Sequence, residues 1–215
     1  MSEEKFETAT KKSFERWAPY YDSSFFDIFY FSQIRKKILA LVEQYAKNSI
    51  APHAYCLDAA SGTGKVVAAL GRAYPSAKFI GVDFSGEMIK RARERIANNI
   101  PNVNFAEANV TQMPFGEGTF DFVVCSDSFH HFANPVAALQ EIRRVSKKGA
   151  IFLLVDPARD TRFQKICLGI FGTFFETPKK YYSREEISDM LGKSGFTISA
   201  VTNFYLNNFY IALTV

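Results

Sequence analysis

The sequence predicts an α/β fold: a doubly wound, mostly parallel seven-stranded sheet with an N-terminal helical cap before it and an antiparallel hairpin at its C-terminal end. Three observations lead there. From Ala54 onward short apolar runs alternate with amphipathic helical patterns, as in a sheet covered on both faces. Runs such as F-V-V-C and I-F-L-L-V are continuously apolar rather than alternating, which suits parallel strands with no face toward water. The last two strand-like runs have no helical pattern between them, which calls for a hairpin.

The elements follow in order. The strand patterns are Ala54–Ala59, Lys78–Val82, Val103–Ala106, Phe120–Ser126, Ala150–Val155, Phe196–Val201 and Phe209–Val215. The helical patterns between them are Lys65–Ala73, Gly86–Asn98, Pro135–Val145 and Arg184–Lys193. Before residue 54 the composition changes. Phe14, Trp17, Tyr20, Tyr21, Phe25 and Phe26 open an aromatic-rich helical stretch that continues through Ile34 to Tyr45. The expected division is therefore a cap at 1–53 and a ligand-binding domain at 54–215. A second aromatic segment, Phe163–Tyr182, carries Phe171, Phe174 and Phe175.

Bulk properties exclude several classes. With 215 residues, 47% hydrophobic and 22% charged, the chain can bury a substantial core as one domain with an extension. The net charge of +4 is mild and spread through helices, so nucleic acid is not implied. Three cysteines without C-x-x-C spacing suggest neither a disulfide framework nor a metal site, and fit a reducing, cytoplasmic setting. The N-terminus is polar where a signal peptide would be apolar, and the run Ile166–Phe175 is too short to span a membrane. That run and the mild positive charge leave room for peripheral membrane contact. Oligomeric state is not legible.

The run L-D-A-A-S-G-T-G-K, Leu57–Lys65, is a glycine-rich turn between the first strand and its helix. A dinucleotide fingerprint starting at Gly62 would need glycine where Val67 stands. A nucleoside triphosphate loop ending at Lys65 would need glycine and a hydroxyl where Ala59 and Val66 stand. The pattern [DE]-x-[GA]-x-G-x-G is met by Asp58, Ala60, Gly62 and Gly64. On these residues the chain resembles the class I methyltransferases that use S-adenosylmethionine (SAM), a Rossmann-like family.

The resemblance implies roles. Gly62 and Gly64 would let the backbone pass under the methionine and ribose of SAM, with Asp58 toward its ammonium. Asp83, 19 residues after Gly64 at the end of the second strand, would accept from the ribose hydroxyls; Phe84 and Met88 would flank the adenine. Asp83 could instead cap the following helix, a role open to Ser85 as well. The segment A-E-A-N-V-T-Q-M-P-F, Ala106–Phe115, resembles that of the ubiquinone and menaquinone C-methyltransferase branch, with Asn109 where that branch carries Asp. Asn109 would accept from the adenine amino group and the N–H of Val110 would reach a ring nitrogen, or Asn109 simply closes a turn.

The acceptor side is read from S-D-S-F-H-H-F-A-N-P, Ser126–Pro135. Ser126 and Asp127 would lie near the sulfonium, and His130 or His131 could take a proton from the acceptor, or order the loop. F-E-R-W-A-P-Y-Y-D, Phe14–Asp22, resembles a segment whose tyrosine, here Tyr21, closes over the donor in the small-molecule branch; amphipathic packing would show the same spacing. The expected function is methyl transfer to a small apolar or aromatic acceptor, without a metal, beneath a roof formed by the two aromatic segments. The alternatives are a phospholipid or other membrane-borne acceptor, and a SAM-binding module without catalysis.

Overall fold

A computed structural model describes residues 2–21, 31–96, 99–160 and 178–214, the side chains at 17 and 19–21 excepted. Helix α1 is Glu3–Tyr21, and α2, Ser32–Leu41, continues into a π-turn at Val42–Ala46 and a 3-10 turn at Lys47–Ile50. The alternating region follows as β1 Tyr55–Ala59, α3 Lys65–Ala73, β2 Lys78–Asp83, α4 Gly86–Ile96 and β3 Val103–Glu107. It continues as β4 Phe120–Ser126, α5 Pro135–Val145, β5 Ser146–Pro157 and α6 Arg184–Lys193, and ends in β6 Phe196–Phe204 and β7 Asn207–Thr214.

Among the described residues the sheet has seven strands in the order β3-β2-β1-β4-β5-β7-β6. The first five pair in parallel, while β7 runs antiparallel to both β5 and β6. The hairpin is the one the sequence predicts, with β7 inserted between β5 and the edge strand β6. Its turn is tight because Tyr205 adopts φ 54°, so β6 and β7 both run longer than their apolar cores. The order in which strands are added reverses between β1 and β4, which run parallel, and the cleft opens at that switch point, beyond the carboxyl ends of the strands.

Two apolar layers enclose the sheet. One joins α2 (Ile34, Ile38, Leu41) to Val67 and Leu70 of α3 and to Phe79, Phe122 and Phe209. The other joins Leu139 and Ile142 of α5 and Ile187 of α6 to Phe120, Phe129, Phe152 and Tyr210. Residues 32–50 thus belong to the same core as the strands.

Capping explains where the helices begin. Asn134 accepts from Ala137 N–H at 3.0 Å, with Pro135 in the first turn of α5. Ser183 and Glu186 form a reciprocal capping box at α6. Ser85 Oγ accepts from Met88 N–H at 3.4 Å to open α4. Helix α3 starts on Gly64 without a cap from its own side chain; Asp58, in β1, accepts from Val67 N–H at 3.1 Å instead.

Candidate active site

The glycine-rich turn is left-handed three times, at Ala60 (φ 61°), Gly62 (φ 52°) and Gly64 (φ 75°). The two glycines serve different ends. A Cβ on Gly64 would fall 2.5 Å from the Phe105 ring, so this glycine allows α3 to seat against β3. A Cβ on Gly62 would meet nothing within 4 Å, and Gly62 lines the cleft. Gly64→Ala is therefore expected to cost about 3 kcal/mol of stability, from left-handed strain plus the clash. Gly62→Ala should cost roughly 1 to 2 kcal/mol from strain alone and also lower ligand affinity, because its methyl projects into open cleft. Denaturant titration and calorimetry separate the two, and equal destabilisation with intact affinity in both would contradict this division.

Asp83 anchors the turn. Its Oδ2 accepts from Gly62 N–H at 2.9 Å and its Oδ1 from Ser85 N–H at 3.0 Å. Ser85 caps α4, so the carboxylate is not required there. Burial pushes the Asp83 carboxyl up to about 6, against the backbone N–H groups that favour its ionised form. With the N–H groups of Gly62, Ser85 and Phe84 engaged, the carboxylate keeps acceptor capacity for a further donor, and Asp83 lines the cleft.

The cleft wall continues from Ala60, Gly62 and Asp83 through Phe84, Met88, Asn109 and Val110. Asn109 Oδ1 accepts from Thr111 N–H at 3.0 Å and from the Thr111 hydroxyl at 2.9 Å, which closes a turn. Its amide nitrogen donates to Glu7 Oε1 of α1. Helix α1 lies across the cleft, with Glu3, Glu7 and Phe14 in its wall. The Phe14 ring stands edge-on to His131, centroids 4.9 Å apart, and meets Phe84 at 6.4 Å.

Beyond β4, Asp127, Ser128, His131 and Phe132 complete the wall. Asp127 is left-handed at φ 49° and accepts from the Asn207 side chain at 2.6 Å; burial raises its carboxyl to about 7. His131 Nδ1 lies 2.8 Å from the Pro178 carbonyl. A carbonyl only accepts, so Nδ1 carries the proton and Nε2 is left with its lone pair. Burial, with His130 and Lys179 nearby, holds the His131 pKa well below the ordinary histidine value.

His130 is not on the cleft wall. Its Nδ1 meets buried Asp156 Oδ1 at 2.9 Å, and its ring stacks on Tyr181 at 5.1 Å. Burial brings His130 down to about 3 and raises Asp156, so the pair favours its uncharged forms. Lys180 N–H donates to the His130 carbonyl at 2.7 Å, tying residues 178–182 to the turn that carries His131.

Of the residues expected from the sequence, the structure brings Ala60, Gly62, Asp83, Phe84, Met88, Asn109, Val110 and His131 into one cleft. Gly64 and Asp58 lie beneath the turn. Asp58 is buried, burial raises it to about 8, and its Oδ1 has no hydrogen-bond partner among the described residues. That orphaned acceptor suits a ligand ammonium, reached directly or through water. Ser126 ends β4 one place short of the wall and offers its carbonyl to Ser128. The Tyr21 and Trp17 side chains and Phe171, Phe174 and Phe175 lie outside the described residues. Glu7 carries no signal in the sequence, because its site partner is 102 residues away.

Among the described residues no cluster of side chains could hold a metal ion, and no helix is long and apolar enough to cross a membrane. Residues 57–154 match the methyltransferase domain family. A demethylmenaquinone methyltransferase of Staphylococcus aureus (strain JH9) is 27% identical over 169 residues, covering 69% of this chain and 70% of that protein. A candidate methyltransferase from Bacillus halodurans C-125 superposes with a TM-score of 0.67 at 28% identity, over 77% of this chain and 71% of that one. Magnesium protoporphyrin IX methyltransferase from Synechocystis PCC 6803, solved with S-adenosylhomocysteine, shares the fold with a TM-score of 0.68 at 21% identity, over 85% and 83% of the two chains. With the matching sheet order and glycine-rich turn, these likenesses place residues 57–154 of this chain in the class I SAM-dependent methyltransferases.

Proposed function

We propose that the chain transfers the SAM methyl group to a small apolar or aromatic acceptor bound beside His131. One observation carries this reading: the wall of Ala60, Gly62 and Asp83, suited to the donor, runs without a break into a wall of Phe14, His131 and Phe132. A donor seated over Gly62 would then present its sulfonium toward an apolar space holding a single neutral imidazole.

The reaction asks little covalent chemistry of the protein. An electron pair on the acceptor attacks the methyl carbon, the carbon–sulfur bond breaks, and S-adenosylhomocysteine leaves as a neutral thioether. The acceptor proton passes to His131 Nε2. The protein supplies alignment and exclusion of water, which α1 assists by covering the cleft. In this proposal Asp58, Gly62, Asp83, Phe84, Met88 and Val110 hold the donor. His130, through Asp156 and Tyr181, positions the turn that carries His131. Helix α1 acts as a cap over the donor, while α2 belongs to the core of the domain, so the boundary at residue 54 follows the sequence pattern and not the packing.

The Staphylococcus aureus relatives are named for demethylmenaquinone, an aromatic and apolar acceptor, which supports the same class here. The test is S-adenosylhomocysteine release over a panel of quinones, phenols, amines, thiols and phospholipid vesicles. Turnover confined to aromatic acceptors is expected. Turnover on vesicles alone would favour a membrane-borne acceptor, and donor binding with no turnover on any member would favour a non-catalytic module.

A further inference from the structure

We propose that Glu7, on α1, reads the amino group of the donor's adenine and sets the preference for a 6-amino purine. The inference rests on the donor-site reading above and assigns that site a residue from outside the 57–154 match.

The residue expected to face the adenine amino group, Asn109, has its carbonyl oxygen already engaged. Two donors from Thr111, the backbone N–H at 3.0 Å and the hydroxyl at 2.9 Å, fill its acceptor capacity. What Asn109 still offers is its amide nitrogen, and that donates to Glu7 Oε1. The carboxylate next to the purine wall therefore comes from α1. Glu7 lines the same cleft as Phe84, Met88, Ala108 and Val110, the residues that would sandwich and flank the base. A carboxylate has about four acceptor sites, so the Asn109 bond leaves it able to take an amino proton from the ligand.

Glu7 is held there by its own helix. One turn on, Lys11 pairs with Glu107 at the end of β3 at 3.1 Å; two turns on, Phe14 meets Phe84. At the other end Glu3 accepts from the Asn134 side chain at 3.4 Å. These contacts put the carboxylate-bearing face of α1 against the ends of β2, β3 and α5. An adenine amino group donates to such a carboxylate. A 6-oxo purine would point a second acceptor at it, and unpaired acceptors facing one another in a covered cleft are strongly disfavoured.

The experiment is calorimetric titration of the full chain with S-adenosylhomocysteine and S-inosylhomocysteine, which differ at this purine position. Wild type should prefer the adenosyl form by roughly tenfold or more, the loss expected for a buried hydrogen bond to a charged group. Glu7→Ala should reduce that preference to near unity, and Glu7→Gln should do the same, because an amide can donate to the 6-oxo group. Asn109→Asp should weaken adenosyl binding, since it opposes two carboxylates at hydrogen-bond distance; adding Glu7→Gln should restore it. Discrimination unchanged in both Glu7 variants, or tighter binding in Asn109→Asp alone, would overturn the assignment to Glu7 while leaving the donor site standing. A wild-type chain that binds neither nucleoside would overturn the donor-site reading and this proposal with it.

Discussion

His131→Ala is expected to lower turnover of the acceptor by roughly two decades or more, the usual worth of a positioned acid or base. S-adenosylhomocysteine affinity should stay within about threefold, because removing the ring deletes no hydrogen bond to the donor. The effect should fall on kcat more than on KM for SAM. In the proposed mechanism the imidazole is already in its base form: Nδ1 is held by the Pro178 carbonyl, and burial keeps the ring from protonating near neutrality. The activity of the wild type at saturating SAM should therefore show no acidic limb at the ordinary histidine value of about 6.5. His130→Ala should act differently, because that ring touches Asp156 and Tyr181 rather than the cleft. Loss of turnover there should come with a lower melting temperature. A His131 variant that keeps wild-type turnover on every accepted substrate would rule out the base role.

Asp83→Ala is expected to weaken S-adenosylhomocysteine binding by about one to two decades, from the loss of charge-assisted bonds to ribose hydroxyls worth roughly 1.5 to 3 kcal/mol. The same change strips the acceptor from Gly62 N–H and Ser85 N–H, so part of the loss arises from a loosened turn. Asp83→Asn keeps one acceptor oxygen and should fall between. The pH dependence supplies an independent check. Ligand binding requires the carboxylate, whose ligand-free value is raised to about 6, so affinity should be level above that pH and decline by up to tenfold per unit below it.

Stability should move the other way. A carboxyl whose folded value lies above its unfolded value of about 3.9 binds its proton more tightly in the fold, so stability rises as pH falls between the two values. Asp127, raised to about 7, and Asp58, raised to about 8, act in the same sense, while His130, lowered to about 3, and His131, also lowered, act in the opposite sense and offset part of the gain. A ligand-free chain that gains stability from pH 7 toward 5 while losing donor affinity would show both signs at once. Affinity independent of pH and unchanged in Asp83→Ala would remove Asp83 from the donor site.

The strands and helices of the sheet were legible because their signals are local. Continuous apolar runs mark buried parallel strands, and caps such as Asn134–Pro135 and Ser183–Glu186 mark helix starts from a few adjacent residues. The turn from Asp58 to Gly64 was legible for the same reason: left-handed backbone and close approach demand particular residues at fixed spacing. Even there, spacing could not divide the labour between Gly62, which faces open cleft, and Gly64, which faces Phe105 from another strand. The adjacent pair His130 and His131 reads identically in one dimension. Only the tertiary structure sends one ring to Asp156 and the other to the cleft, because consecutive residues of a tight turn point in different directions. Asn109 lies on the cleft wall after β3, but the use of its carbonyl depended on Thr111 and the destination of its amide on Glu7. A helix that crosses the cleft from 102 residues earlier leaves no periodic trace of what it will touch, since long-range side-chain pairing is decided by how the elements pack and not by the pattern within any one of them.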